Sequence, residues 1–107
     1  MTNIKDKVFA LVKKIPKGKV TTYNEIAKAL GNPEMRRAVG NVLHSNMSLE
    51  YVPCYRVVNS KGHLARNYPY GGVGGQRDLL KNDGIEIEFN NVDLKRYMFY
   101  FDEKDED

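Results

Sequence analysis

The chain has 107 residues, 41% of them hydrophobic, and a formal net charge of +3 at pH 7, which fits one modest globular domain. Its single cysteine excludes an internal disulfide, and one Cys with two widely spaced His does not form a zinc site, so we expect no metal and no cofactor. The first residues lack the apolar core of a signal peptide and no apolar run could span a membrane. We therefore expect a cytoplasmic protein with no membrane partner.

The charge is divided unevenly along the chain. Residues 1–66 carry 12 Lys/Arg against 4 Asp/Glu, a net charge of +8, whereas residues 67–107 carry 5 against 10, a net charge of −5. A basic half on a small domain is typical of proteins that bind a polyanion such as nucleic acid, although a solvated face of lysines gives the same pattern.

Two helices are predicted in the first thirty residues. Apolar residues at helical spacing indicate an amphipathic helix over residues 4–15, ended by the turn at Pro16-Lys17-Gly18. Thr22, followed three residues later by Glu25, is a capping box and starts a second, short helix that ends near Gly31.

A third helix is predicted from the cap at Asn32-Pro33 to about Ser45. Two short helices across a tight turn form either a helix-turn-helix or an αα-hairpin that serves only as core, and spacing alone does not separate these interpretations. The polar face of the third helix favours DNA binding. The residues of that face are Arg36, Arg37, Gly40, Asn41 and His44.

The cysteine lies in the segment Val52-Pro53-Cys54-Tyr55-Arg56-Val57-Val58. A thiol attacks only as a thiolate, and a neighbouring cation such as Arg56 favours that form. Pro53 fixes its own φ and so places the thiol on a defined loop. The alternative is that Cys54 is a small buried hydrophobe, which is the commoner role of a lone cysteine among valines.

The rest of the chain is predicted to be loop, helix and hairpin. After a loop at 46–50 and the cysteine segment, Val57 and Val58 continue as a short strand, followed by a turn at 59–62. Residues 66–75 are predicted as loop, whose stretch 71–75 is an anion cradle, a flexible lip or a packing turn. A last helix spans 76–83. Ile85, Ile87 and Phe89 alternate, and we expect them to pair, across a turn at Asn90-Asn91, with Val92 and Leu94 as a small hairpin.

The predicted fold is therefore mainly α with a small β-hairpin, a winged helix-turn-helix-like single domain. We expect it to span residues 1–101, followed by an acidic, disordered tail at 102–107.

Taken together, the segments resemble the DNA-binding domain of the O6-alkylguanine-DNA alkyltransferase family, in the family's order and over most of residues 4–84. The residues that carry the resemblance are Thr22-Tyr23-Asn24-Glu25-Ile26-Ala27, Arg37-Ala38-Val39-Gly40, Asn46, Pro53-Cys54-Tyr55-Arg56-Val57-Val58 and Leu79-Leu80 with Asp83-Gly84. The end, Val92-Asp93-Leu94-Lys95-Arg96-Tyr97, is similar to that of the short members called alkyltransferase-like proteins.

The resemblance implies a suicide reaction on double-stranded DNA that contains O6-alkylguanine. Such proteins bind the minor groove, flip the damaged base out and pass its alkyl group to a cysteine, here Cys54. It also implies that Arg37 fills the vacated stack, Tyr23 helps rotate the target's phosphate and Asn46 orders the site. The implied base pocket contains Val57, Tyr68 and Tyr70. We expect a monomer, with nucleotide excision repair proteins as further partners if the chain only senses lesions.

The chain departs from the family at the group that activates the thiol. The family has a histidine after the cysteine, held by a glutamate, and the corresponding residues here are Tyr55 and Asp83. Because tyrosine does not readily hold a second proton, we expect slower alkyl transfer than in members with histidine.

Three hypotheses follow, in decreasing order of preference. The first is an active alkyltransferase that uses Cys54 once. The second is a non-catalytic lesion sensor of the alkyltransferase-like kind, which typically lacks the cysteine. The third is a helix-turn-helix regulator with a structural cysteine.

Overall fold

The structure, a computed structural model, describes residues 3–46, 52–66 and 68–101. The predicted acidic tail and most of the predicted loop at 46–50 lie outside these ranges. The helices and strands, in chain order, are α1 (Ile4–Val12), β1 (Thr21–Thr22), α2 (Tyr23–Ala29), α3 (Arg36–His44), β2 (Val57–Val58), α4 (Gly72–Asn82), β3 (Ile87–Glu88), β4 (Asn91–Val92) and α5 (Leu94–Tyr97). The predicted fold class, mainly helical with a small hairpin, is confirmed.

The first helix is shorter than predicted. It is capped by the Asn3 side chain, which accepts from the Asp6 N–H, and it ends at Val12 rather than at residue 15. Beyond Val12 the Ile15 N–H bonds to the Val12 carbonyl, a tight turn that lets the chain reach Pro16, before which α-helical geometry is disfavoured. Ile15 is nevertheless buried, at 1% exposure, so the apolar pattern identified a core residue outside the helix.

The predicted caps form the helix-turn-helix. Thr22 Oγ1 accepts from the Glu25 N–H at 3.1 Å and starts α2. Asn32 Oδ1 accepts from the Glu34 N–H at 3.0 Å and starts a 3₁₀ turn at Pro33–Met35, after which α3 begins. The third predicted helix is therefore a 3₁₀ turn followed by an α-helix.

A parallel pairing that the sequence did not reveal connects the two halves of the chain. Thr21 and Thr22 pair in parallel with Val57 and Val58. On the other side of β1, Val20 donates to the Tyr97 carbonyl and accepts from the Phe99 N–H, so the C-terminal segment runs alongside it. The start of α2, the cysteine segment and the C-terminal residues are thus held together at the centre of the core.

The glycine-rich stretch is helical, so the predicted loop over 66–75 is wrong in its last four residues. The helix α4 starts at Gly72, after Gly71 in the left-handed conformation at φ 103°. A Cβ on Gly75 would lie 2.0 Å from the Tyr70 carbonyl oxygen, so glycine is required by close backbone approach. The stretch is therefore the closely packed start of a helix and none of the three predicted kinds of loop, and the N–H groups of Gly72 and Gly75 bond to the Tyr68 and Gly71 carbonyls.

The hairpin forms one residue earlier than predicted. Ile87 pairs with Val92 and Glu88 with Asn91, so the two-residue turn is Phe89-Asn90. Both residues have positive φ, 53° and 58°, as this kind of hairpin turn requires. Phe89 therefore lies at the tip of the hairpin and is 97% exposed. Leu94 begins α5 and is not part of the strand.

Candidate active site and DNA-binding surface

Cys54 occupies a short 3₁₀ turn, Cys54–Arg56, that leads directly into β2. Pro53 precedes the turn with φ −78°, and its carbonyl accepts from the Arg56 N–H at 3.0 Å. Pairing of β2 with β1 then fixes the turn to the start of α2. Cys54 is only 4% exposed, so its side chain lies at the edge of the hydrophobic core.

Cys54 forms part of the wall of a cleft of about 710 Å³, which we call the cysteine cleft. Its lining comes from α2, α3, the cysteine turn and the segment after β2. The lining residues are Tyr23, Gly40, Asn41, Leu43, His44, Cys54, Asn59, His63, Leu64, Ala65, Arg66, Tyr68 and Pro69. Among these described residues none is acidic, so the cleft suits an anionic ligand.

The two tyrosines predicted for the base pocket lie in different places. The Tyr68 hydroxyl is 3.6 Å from Cys54 Sγ inside the cleft, and either atom could be the donor. The Tyr70 hydroxyl donates to the Asn46 carbonyl at 2.6 Å, and Tyr70 is not a lining residue. Val57, also predicted for the pocket, is buried in β2 at 1% exposure and does not line the cleft either.

Tyr55, Arg56 and Asp83 form a cluster beneath the cysteine turn. Asp83 accepts from Arg56 Nε at 2.8 Å and from the Tyr55 hydroxyl at 3.2 Å, while Arg56 Nη1 donates to the Ile15 carbonyl at 2.9 Å. The hydrogen bonds of Arg56 therefore tie the cysteine turn to the ends of α1 and α4.

Asn46 connects the end of α3 to the cysteine segment. It is 4% exposed, and its Nδ2 donates to the Val52 carbonyl at 2.8 Å, two residues before the thiol. Together with the hydrogen bond from Tyr70 to its carbonyl, this arrangement fixes α3 relative to the cysteine turn.

The polar face of α3 borders a second depression of about 440 Å³, which we call the arginine hollow. It is lined by Tyr23, Asn24, Arg36, Arg37, Gly40, Asn41, Asn59 and Ser60. Tyr23, Gly40, Asn41 and Asn59 are shared with the cysteine cleft, so the two depressions adjoin. His44 lies at the cysteine-cleft end of the helix. All five α3 residues predicted from the sequence border one or both.

Burial raises the pKa values of three tyrosines in this region, Tyr23, Tyr55 and Tyr68. It raises the pKa of Tyr68 well above its ordinary value, helped by the hydrogen bond to Cys54, and it raises the pKa of Tyr23, which also lies near that thiol. Burial likewise raises the pKa of Tyr55. For Arg56, burial disfavours the charge, but the hydrogen bond to Asp83 leaves its pKa above the usual value.

Sequence reasoning missed several residues of the site. Asn59, predicted in a turn, Arg66, predicted in a loop, and residues 63–65, for which no element was predicted, all line the cleft, and nothing local indicates that they fold back over Cys54. Gln76, on the inner face of α4, is fully buried and was also overlooked. Its only sequence signal is a polar side chain four residues before the core residue Leu80.

Within the described ranges, no group of three or more His, Cys, Asp or Glu side chains could hold a metal ion. In the same ranges, no helix has the length and apolarity needed to cross a membrane.

A helix-turn-helix beside a cleft with a cysteine in its wall is an arrangement that suits a DNA-binding domain. The model of the 6-O-methylguanine DNA methyltransferase DNA-binding domain matches residues 3–85. The chain therefore belongs to that family.

Its relatives in the family differ in size. The bifunctional methyltransferase/endonuclease of Picrophilus torridus is 44% identical over 92 residues, which are 86% of this chain but only 30% of the relative. Alkyltransferase-like protein 1 of Schizosaccharomyces pombe is 40% identical over 81 residues, 76% of this chain and 75% of the relative. The crystal structure of S. pombe Atl1 with damaged DNA containing O6-carboxymethylguanine superposes with a TM-score of 0.82 at 34% identity, covering 91% and 94% of the two chains.

Proposed function

We propose that this protein repairs duplex DNA by binding O6-alkylguanine, rotating the damaged base into the cysteine cleft and accepting its alkyl group irreversibly on Cys54. The observation that carries the proposal is the position of Cys54 in the wall of a cleft that adjoins the arginine-bearing face of α3. The names of relatives support both the alkyl transfer and the lesion binding. They include a bifunctional methyltransferase/endonuclease and a protein whose crystal structure contains damaged DNA with O6-carboxymethylguanine.

The DNA-binding step follows from the shape and charge of the surface. Arg36 and Arg37 are exposed on α3 and can neutralise phosphates or enter the groove. Chemistry on a base requires that the base leave the stack, at a cost of a few kcal/mol. In this proposal Arg37 offsets that cost by occupying the vacated space, Tyr23 contacts the rotated phosphate, and Gly40 leaves room for the backbone.

The chemical step is a displacement at the alkyl carbon. The Cys54 sulfur, as thiolate, forms the S–C bond while the C–O bond to guanine O6 breaks, and the electron pair stays on the guanine. The proton lost by the thiol is balanced by one that the guanine gains, so the products are S-alkylcysteine and unmodified guanine. No cofactor is consumed, and the thioether has no route back to the thiol.

In this proposal Tyr68 assists the departure of the guanine. Its hydroxyl is 3.6 Å from Sγ, and burial raises its pKa, so it remains protonated over the physiological range. A neutral phenol can donate a hydrogen bond to O6 as negative charge develops there, which lowers the barrier to departure of the guanine.

One observation favours a second candidate function, a lesion sensor in which Cys54 is inert. Tyr55 occupies the position that the resemblance assigns to a histidine base, and its hydroxyl donates to Asp83 at 3.2 Å. The superposition on S. pombe Atl1 at a TM-score of 0.82 is consistent with either function. A sensor would hold the flipped base and hand the lesion to excision repair proteins.

The intact mass of the protein separates these functions. The protein is incubated with a duplex carrying one O6-methylguanine and with the same duplex carrying guanine, and binding is measured in parallel. The proposal predicts a gain of one CH₂ only with the lesion, abolished in Cys54→Ser while lesion binding persists. Preferential lesion binding with no mass change would indicate a sensor. Binding governed by sequence with no lesion preference would indicate a regulator.

A further inference from the structure

Gln76 is a fully buried polar side chain that the proposed reaction does not use. It lies on the inner face of α4, one turn before Leu80, and both residues have 0% exposure. Burying an unpaired amide is unfavourable, so a polar residue at such a position must be matched by partners.

Its amide has three partners, and their chemistry fixes its orientation. Oε1 accepts from the Ala65 N–H at 2.7 Å, while Nε2 donates to the Tyr55 carbonyl at 3.1 Å and to the Val57 carbonyl at 3.0 Å. Because a backbone N–H can only meet the oxygen and two carbonyls can only meet the NH₂ group, the reversed orientation would lose all three bonds.

The three partners lie in the two chain segments that carry the cleft residues Cys54 and Tyr68, which we call the two walls of the cleft. Tyr55 and Val57 are in the turn and strand that carry Cys54. Ala65 lies in the segment that carries Tyr68 and lines the cleft. Its carbonyl accepts from the N–H of Tyr68. One side chain therefore bridges the wall that holds Sγ and the wall that holds the Tyr68 hydroxyl.

We propose that Gln76 is a positioning residue that sets the separation of these two walls, and with it the placement of Cys54 Sγ relative to Tyr68 and the bound alkyl group. This inference rests on the proposed function for its effect on transfer. An apolar side chain of similar size would fill the same volume, but it would leave the Ala65 N–H and both carbonyls without their buried partner. The walls would then move apart to reach water or other partners.

The test compares Gln76→Met with the matched control Leu80→Met, which alters the same buried face of α4 one turn later without touching the bridge. Two readouts are taken: the single-turnover rate of transfer from an O6-methylguanine duplex, and the rate of Cys54 alkylation by iodoacetamide in the free protein. Affinity for the lesion duplex and the urea midpoint are recorded for each variant.

For Gln76→Met we expect the transfer rate to fall about tenfold or more, because small misplacements of reacting groups are costly, while lesion affinity changes by less than about threefold. The iodoacetamide rate should rise, since separated walls expose a thiol that is now only 4% exposed. Leu80→Met should leave both rates within about twofold of the parent values. Unchanged rates in a folded Gln76→Met protein would overturn the inference, as would equal changes in the two variants.

A second variant, Gln76→Glu, tests the inference if Gln76→Met does not fold. In Gln76→Glu the carboxyl still accepts from Ala65 but, when ionised, repels both carbonyls. Protonation restores one donor, so the rate relative to the parent protein should recover between about pH 8 and about pH 6. If the ratio of the variant's transfer rate to the parent rate does not depend on pH, Gln76 does not position the two walls through these hydrogen bonds.

The parent protein keeps the two proposals separable. If it transfers no alkyl group, the proposed function fails, yet the iodoacetamide rates still test whether Gln76 holds the walls. If it transfers the group and Gln76→Met does so equally fast, only the present inference fails.

Discussion

Arg37 is exposed on α3 and borders the arginine hollow with Tyr23 and Asn59. If it supports the flipped state, Arg37→Ala should weaken binding of a lesion duplex about tenfold or more, since flipping costs a few kcal/mol. The rate of Cys54 with a small thiol reagent should not change. Arg96→Ala removes the same charge from an exposed ion pair with Glu86 and serves as the control. A parallel fall in binding and thiol reactivity would mean that Arg37 supports the fold instead.

The resemblance assigns a histidine to the position that Tyr55 occupies in this chain. Tyr55→His would place a base beside Asp83, at the position of the present 3.2 Å hydrogen bond, and should accelerate alkyl transfer by about tenfold or more. Tyr55→Phe keeps the ring without the hydroxyl and should show no acceleration. Single-turnover rates on the same duplex provide the comparison, and equal rates for the two variants would contradict the account.

At the scale of elements, the first turn of α4 supports the wall that carries Tyr68. A Cβ at Gly75 would lie 2.0 Å from the Tyr70 carbonyl, whereas at Gly74 its nearest neighbour is the flexible end of Arg77 at 3.6 Å. We expect Gly75→Ala to lower the free energy of unfolding by about 1–3 kcal/mol, and Gly74→Ala to raise it by up to about 1 kcal/mol. Urea unfolding measures the free energy of unfolding of each variant. Equal effects of the two substitutions would show that Gly75 does not approach the Tyr70 carbonyl closely.

Elements defined by local chemistry could be predicted, and those defined by distant contacts could not. The caps at Thr22 and Asn32 act over two or three residues, so the helix-turn-helix was visible in the sequence. The pairing of β1 with β2 joins residues 36 positions apart, and no short pattern encodes it. The glycines at 71–75 looked like a loop because their helix depends on packing against Tyr70.

The same distinction applies to the candidate site. Cys54 and the α3 arginines could be identified from motifs and helical spacing. The bonds from Tyr70 to Asn46 and from Gln76 to the two cleft walls depend on how the chain folds back on itself. Tyr68 and Tyr70 are two residues apart, and only the structure shows that one contacts the sulfur while the other braces α3.

At the scale of the whole molecule, buried tyrosines couple stability to alkaline pH. Burial raises the pKa values of Tyr23, Tyr55 and Tyr68 in the folded protein, whereas tyrosines of the unfolded chain ionise near pH 10. Above about pH 10 the unfolded state therefore binds fewer protons than the folded state, and stability falls as pH rises.

Urea unfolding at about pH 9 and about pH 11 measures this loss. Tyr68→Phe removes one contributor and should make the loss smaller. Tyr100→Phe makes the same change at a position 66% exposed and is the matched control. An identical loss in the parent protein and in Tyr68→Phe would contradict the coupling.

In the proposed function one alkyl group moves from guanine O6 to Cys54 and stays there. The most direct test measures both products from one reaction, the mass of the oligonucleotide and the mass of the Cys54 peptide, at equal amounts of protein and lesion. We predict that the DNA loses one CH₂ as the Cys54 peptide gains it, and that a second portion of lesion remains unrepaired. An unchanged lesion in a stable complex, or a gain of mass on any other residue, would contradict the account.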